Sequence, residues 1–446
     1  MRKLMLGLLV TMLVIGAATT VIYVKGTRSH QLDAGALAEA AQISATMTPE
    51  QRIDVGRYLA TVANCAGCHT VAGGATFAGG TPLATAFGTF FGPNITPSRE
   101  QGIGDWSAED FWQAMHNGKS PDGSLLYPAF PYTEYTSVTR SDSDAIYAYL
   151  MSVPADETPS KDHILRFPYD QRPLLAFWRA RYFKAGDAET QEAPASQTTT
   201  VPLANSGSAE MDTAPPSWLR GKYLVEGLGH CASCHTPRDS WGATQTSAAW
   251  EGGLVAATGW TATPLTNDMT TGMGRWSEQD IVDVLKTGVS RHGTASGPMG
   301  DVVRESTQFL KASDLRSIAI YIKSLPAGPA STPATPPSSA IMEVGAARYT
   351  QYCAQCHGAQ GEGNTLAWPP LRDNISVVAP SANNVIRMIL DGGFAPATAS
   401  DPQPHGMPPF SQTLNDNDVA ALATYIRNSW GNQAGEVRAF EVKQLR

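Results

Sequence analysis

All six cysteines of the chain fall into three pentapeptides, CAGCH at Cys65 to His69, CASCH at Cys231 to His235 and CAQCH at Cys353 to His357, with none left over. Two cysteines separated by two residues serve equally as a redox disulfide or as half of a zinc site. A histidine directly after the second cysteine is instead the attachment signature of c-type haem. The chemistry demands that order: two thiols add to the two vinyl groups of the porphyrin, and the next residue, held under the ring, offers its imidazole to iron. The pattern therefore reads as three covalently bound haem c groups, attached through Cys65, Cys68, Cys231, Cys234, Cys353 and Cys356, with His69, His235 and His357 as iron ligands. Three disulfides or a cysteine–histidine zinc cluster are the alternative, but disulfides alone would not ask for a histidine at a fixed place after each pair.

At 446 residues the chain is long enough for two to four domains, each with its own core. Its net charge of -8 and the lack of a basic block argue against nucleic acid as a partner. The N-terminus carries an uncharged apolar run, Leu4 to Val24, of about the length a helix needs to cross a bilayer. With no clean small-residue cleavage site behind it, the run reads as a retained membrane anchor over residues 1–30; removal as a signal peptide is the other reading. Because c-type haem is attached outside the bacterial cytoplasmic membrane, the expected location is that membrane, with the haem domains on the periplasmic side.

Two stretches rich in Pro, Ala, Ser and Thr, residues 185–217 and 326–340, read as linkers. They divide the remainder into domains at 31–184, 218–325 and 341–446, each with one pentapeptide. The first two repeat one another: GRYLATVANCAGCHT matches GKYLVEGLGHCASCHT, and SDSDAIYAYLMSVP matches KASDLRSIAIYIKSLP. The third is a shorter version of the same unit. Each reads as mostly helical, with an opening amphipathic helix such as Val55 to Asn64 and a closing helix at Asp144 to Met151, Leu315 to Ser324 or Asp418 to Trp430. Ser107 and Ser277 stand as N-caps before acidic residues. The tyrosines of the closing helices, and Trp106 with its repeat mate Trp276, read first as core; Trp112, Trp178 and Trp368 are also placed to cover haem edges or an interface.

An electron-transfer haem usually takes a second protein ligand, and methionine opposite histidine raises the potential. Met407 in PHGMPPF and Met299 in SGPMGDVV lie between pentapeptide and closing helix and are the expected ligands, with His405 and His292 as the alternatives. Aligning the first repeat on the second sets Phe130, in LYPAFPYTEY, opposite Met299. Met115, Met47, Met151 and His116 are the substitutes available, and the leading reading is a first haem with no methionine ligand.

The run from CAGCHTVAGG to DFWQAMHNG, with LYPAFPYTEY, CASCHTPRD and GMPPF, resembles the three-haem cytochrome c subunits of membrane-bound dehydrogenases of acetic acid bacteria, from about Val55 to Trp430. The resemblance implies an all-α chain in which an N-terminal transmembrane helix precedes three tandem class I cytochrome c domains. It implies an electron-transfer subunit that takes electrons from a dehydrogenase catalytic subunit and passes them to membrane ubiquinone, with no substrate-oxidising site of its own. The N-terminal anchor and polar C-terminus look most like the subunit of a molybdopterin aldehyde dehydrogenase, which also has an iron–sulfur subunit. Partners of the quinoprotein alcohol or flavin gluconate and sugar dehydrogenase type are the alternative. Where these relatives carry methionine, Phe130 is a departure. It leaves a peroxidase-like haem enzyme as a reading from another class, and a free electron shuttle as a third.

Overall fold

The computed structural model of the chain describes residues 2–186, 215–255, 258–328, 335–364 and 368–446, with side chains from Leu9 onward, Val10 excepted. Of the two expected linkers, residues 187–214 of the first and 329–334 of the second lie outside the described residues. By contact the chain forms two compact units, Met1–Ala60 with Cys68–Gly207, and Thr61–Gly67 with Ser208–Arg446.

One device recurs in all three repeats. The opening helices Pro49–Val62, Trp218–Lys222 and Ser339–Tyr352 cross the closing helices Arg140–Leu150, Ala312–Ser324 and Asp416–Arg427. At each crossing a glycine meets the backbone of the partner: a Cβ on Gly56, Gly221 or Gly345 would overlap the carbonyl oxygen of Ala145, Ser317 or Ala421 respectively. Only a residue without a side chain lets two helices approach that closely. The next layer at each crossing is a tyrosine, Tyr149, Tyr321 or Tyr425. Around the crossings the closing helices bury Ile146 and Leu150, Leu315 and Ile322, or Leu422 and Ile426; burying such a side chain stabilises by about 1.5–3 kcal/mol.

The second repeat has one more residue than the first between this glycine and its first cysteine, and the helix absorbs it as a π-turn over Tyr223–Leu228. The middle helices of the first two repeats, Ala108–Asn117 and Glu278–Thr287, start on the expected Ser107 and Ser277, each in a reciprocal capping box with Asp110 or Asp280. They end on left-handed Gly118 and Gly288. The elements are helical except for short strand pairs, the longest being Pro82–Thr85 against Gly88–Phe91. In the second unit the second and third repeats pack together: Asn384 exchanges two hydrogen bonds with the Thr261 backbone at 2.8 Å each, Arg387 Nη2 donates to the Thr258 carbonyl at 2.7 Å, and Arg275 pairs with Asp373 at 2.8 Å.

The expected N-terminal transmembrane helix is not borne out, and with it falls the placement in the cytoplasmic membrane. Among the described residues no helix is long and apolar enough to cross a membrane. A helix does form, Arg2–Thr27, but its middle is small and hydroxylated, Gly16 to Thr20, with the Thr19 and Thr20 hydroxyls donating to the Ile15 and Gly16 carbonyls. Its last turn is tied to the helix Leu175–Tyr182: buried Arg179 donates from Nε to the Gly26 carbonyl at 2.8 Å and from Nη2 to that of Arg28 at 3.4 Å, and Tyr23 faces Phe177.

Candidate functional site

Each pentapeptide folds into a single helical turn, Cys65–His69, Ala232–His235 and Ala354–His357, which brings its two thiols and imidazole to one place on the chain. No disulfide joins the cysteines, and the second thiol of each motif, on Cys68, Cys234 and Cys356, is exposed. No group of His, Cys, Asp and Glu with a metal-holding arrangement occurs among the described residues, which leaves the zinc-cluster alternative without a site.

The three histidines are oriented alike. The Nδ1 of His69 lies 2.7 Å from the Pro93 carbonyl oxygen, that of His235 2.7 Å from the Thr263 carbonyl, and that of His357 3.0 Å from the Pro369 carbonyl. A carbonyl can only accept, so Nδ1 holds the proton and the Nε2 lone pair is left to point elsewhere. A metal-ligating histidine has this same arrangement, with its other ring nitrogen donating to a fixed acceptor. Burial pushes all three imidazoles below their ordinary pKa, which keeps them neutral, the form that binds metal; the carbonyl bonds oppose this less strongly.

The backbone of each histidine is held by a glycine that sequence reasoning missed. Gly79, Gly252 and Gly363 donate their N–H groups to the carbonyls of His69, His235 and His357 at 2.7, 2.9 and 2.8 Å. All three have positive φ, +81°, +80° and +63°. A Cβ there would meet the segment that carries the imidazole's acceptor, 2.6 Å from Pro93, 2.5 Å from Ala262 and 2.6 Å from Trp368. The glycine thus ties the histidine backbone, and the segment against it ties the imidazole. The signal lay in the FAGGT, WEGGL and GEGN stretches.

The expected second ligands occupy related places. After left-handed Gly288 a two-residue hairpin, Val289–Ser290 with Gly293–Thr294, leads into the helix Pro298–Glu305, whose first turn carries half-buried Met299. Met407 sits on the hairpin strand Gly406–Met407, paired with Gly393 and packed against the core of the third repeat. Their alternatives are placed differently. His292 stacks on Trp276 at 5.0 Å with its Nε2 3.6 Å from Asp280, and His405 is exposed, edge-on to Trp368.

Phe130 is half-buried in the first repeat, with its ring 5.4 Å from that of Tyr135. The loop is fixed from outside by Tyr127, which packs on Phe90 and His163 and lies under the Arg172 guanidinium; Arg172 Nη1 also donates to the Leu125 carbonyl at 3.1 Å. Of the aromatics set apart in the sequence, Trp112 is core, stacked on fully buried His116 at 4.3 Å, and Trp276 is also buried. Trp276 lines a cavity of about 180 Å³ between the second and third repeats, and its buried indole Nε1 has no protein acceptor among the described residues.

These observations fit haem c. Two thiols and a neutral imidazole with a preset Nε2 share one helical turn, and a glycine keeps a close backbone approach beside each. When bound, the group supplies an iron that changes its charge by one electron. Cys65, Cys68, Cys231, Cys234, Cys353 and Cys356 would hold it covalently and His69, His235 and His357 would face it.

Comparison with known proteins agrees with this chemistry. The chain matches the cytochrome c family over residues 53–154, 219–326 and 342–430, one match per repeat. It is 37% identical to the gluconate 2-dehydrogenase cytochrome c subunit of Pantoea cypripedii, covering 88% of each chain. It is 35% identical to the alcohol dehydrogenase (quinone) cytochrome c subunit of Gluconobacter oxydans, over 89% of this chain and 82% of the relative. With the fructose dehydrogenase cytochrome subunit of Gluconobacter japonicus the identity is 32%, over 96% and 88%.

Proposed function

The chain belongs to the cytochrome c family, and from that premise we propose that it is a three-haem electron-transfer subunit of a dehydrogenase complex. In this reading it takes electrons from a catalytic partner subunit and hands them to ubiquinone. The observation that carries the proposal is the threefold repetition of one ligand geometry, His69 to Pro93, His235 to Thr263 and His357 to Pro369, each beside an unbridged cysteine pair. Three sites on one chain that share one histidine–carbonyl geometry serve electron transfer, each changing by a single electron. Met299 and Met407 are the proposed second ligands of the second and third haems. The domains proposed are 31–184, 218–325 and 341–446. The packing of the second repeat on the third supports electron passage between those two haems, because rigid contacts keep their separation constant.

The relatives support a dehydrogenase partner: by name they serve gluconate, alcohol and fructose oxidation, and the alcohol enzyme is quinone-linked. The aldehyde partner, with molybdopterin and iron–sulfur subunits, drew on an N-terminal anchor that the fold withdraws and on the polar C-terminal segment from Gly431 to Arg446, which remains. Peroxide chemistry has weaker support. The acid–base groups nearest Phe130 in sequence are already held, Glu134 by the Thr133 hydroxyl at 2.5 Å and His116 by Trp112 and by His30, whose Nδ1 is 3.4 Å away.

The experiment is to tag the C-terminus, isolate the protein under native conditions and identify what co-purifies, then offer aldehyde, alcohol, gluconate and fructose while watching haem absorbance. Haem reduction by one substrate in the presence of a co-purified dehydrogenase is the expected result and names the partner. A chain that purifies alone and stays oxidised with all four substrates overturns the subunit reading.

A further inference from the structure

The first two repeats can be put in exact register by equivalent hydrogen bonds rather than by sequence. In the first, the middle helix ends on left-handed Gly118, Lys119 bridges Leu125, and the Leu126 N–H returns to the Gly118 carbonyl at 2.8 Å. In the second, the helix ends on left-handed Gly288, Val289 pairs with Thr294, and the Ala295 N–H returns to the Gly288 carbonyl at 2.7 Å. Four residues beyond the returning N–H lie Phe130 in the first repeat and Met299 in the second. The single residue by which the two hairpins differ in length falls inside the turn, before the return bond, so it does not disturb this register.

From Gly118 to Thr139 the first repeat contains no Met, His or Cys. Lys119 is the counterpart of Val289 and lies at the wrong end of the loop. The other Met and His side chains of the repeat lie outside this loop. Met115 is buried at the place of the core residue Leu285, and Met47 is buried ahead of the opening helix. Met151 follows the closing helix at the place of Lys323. His116 lies inside its helix, stacked on Trp112. His163 accepts the Phe91 N–H at Nδ1, at 3.2 Å, so its neutral ring carries the proton on Nε2, the reverse of His69.

We propose that Phe130 closes the distal side of the haem held by Cys65, Cys68 and His69 with a phenyl ring where Met299 supplies a thioether in the second repeat, so that this iron has one protein ligand and admits a small uncharged ligand such as carbon monoxide. The proposal rests on the haem attachment given above. It separates the first site from the other two in chemistry as well as position, because methionine raises a haem potential and a phenyl ring does not.

The test uses the full-length purified chain with carbon monoxide as the probe. Intact mass under denaturing conditions first counts the covalent haems; fewer than three would undo the attachment reading, and this proposal with it, whereas the carbon monoxide results below bear on this proposal alone. Reduced protein titrated with carbon monoxide is then expected to bind one molecule per chain. Phe130→Met is expected to abolish that uptake and add the charge-transfer absorption of a methionine-ligated ferric haem, while Phe130→Leu keeps the uptake. The reciprocal Met299→Phe is expected to raise uptake to two. Three covalent haems with no uptake by the wild-type chain would overturn the proposal, as would uptake unchanged in Phe130→Met. The wild-type stoichiometry decides the matter even if a variant fails to fold.

Discussion

At His69, His235 and His357 the consequential atom is Nδ1, because the carbonyl it meets decides which ring nitrogen keeps a free lone pair. The glycine that holds each histidine backbone is therefore part of the site. An alanine at Gly252 would adopt the left-handed region at about 1–2 kcal/mol and would also bring a Cβ to 2.5 Å from the Ala262 carbonyl. Gly73→Ala carries the same backbone strain, φ +76°, with nothing within 4 Å. Gly252→Ala is expected to destabilise the second repeat by more than Gly73→Ala destabilises the first, read by denaturant unfolding, and to shift the potential of its own haem alone. Equal costs for the two would mean that the close approach does not matter.

A second residue-scale prediction concerns acid. Burial raises the Asp280 carboxyl, but hydrogen bonds from Ser277 and the neighbouring Arg291 outweigh it, and its pKa ends below the ordinary 3.8. A depressed carboxylate stabilises the fold fully above its unfolded pKa, and the contribution disappears as pH falls through the folded value. Asp280→Asn is therefore expected to cost about 1 kcal/mol near neutral pH, the usual worth of a cap, and nothing well below pH 3.8. Thermal melts across that range check it, and a cost that persists unchanged in acid would contradict it.

Among the elements, the helix crossings at Gly56, Gly221 and Gly345 carry the largest local constraint. Alanine at any of them forces two helices apart, and overpacking of this kind costs about 1–3 kcal/mol. We expect each substitution to lower the melting of its own repeat and to broaden the unfolding of the whole chain, measured by calorimetry; no loss at all three would refute the close-approach account. These elements were unevenly legible. Opening and closing helices, Ser107 and Ser277 followed from apolar spacing and capping chemistry, which act within a few residues. The closing helices begin two to four residues earlier than the apolar pattern alone gives; at two of the starts Thr139 and Asn415 accept backbone N–H groups of the first turn. The π-turn at Tyr223–Leu228 was written only as a one-residue excess between repeats. The acceptor carbonyls of Pro93, Thr263 and Pro369 had no signal in any side chain, since a backbone oxygen belongs to every residue.

For the whole molecule, threefold repetition made the cofactor chemistry legible in the sequence, because six cysteines in three identical frames leave little else. The expectation for the N-terminal helix rested on apolar length in the sequence alone, whereas the contact the fold adds, the Arg179 side chain on its last turn, comes from a residue about 150 positions away. Substituting Arg179→Met removes the donor to the carbonyls of Gly26, Arg28 and Asn117. Leaving buried carbonyls unpaired costs about 1–3 kcal/mol, so limited proteolysis near Thr27 is expected to accelerate severalfold while haem content stays constant. Unchanged cleavage would show that the helix end is held by packing instead.

The central claim, conduction through three haems on one chain, is tested most directly by an anaerobic reductive titration of the purified full-length protein that counts electrons per polypeptide against haem absorbance. Uptake of three electrons, each accompanied by an equal increment of reduced haem, is the predicted result. Uptake of fewer than three, or electrons that enter without a change at haem, would contradict it.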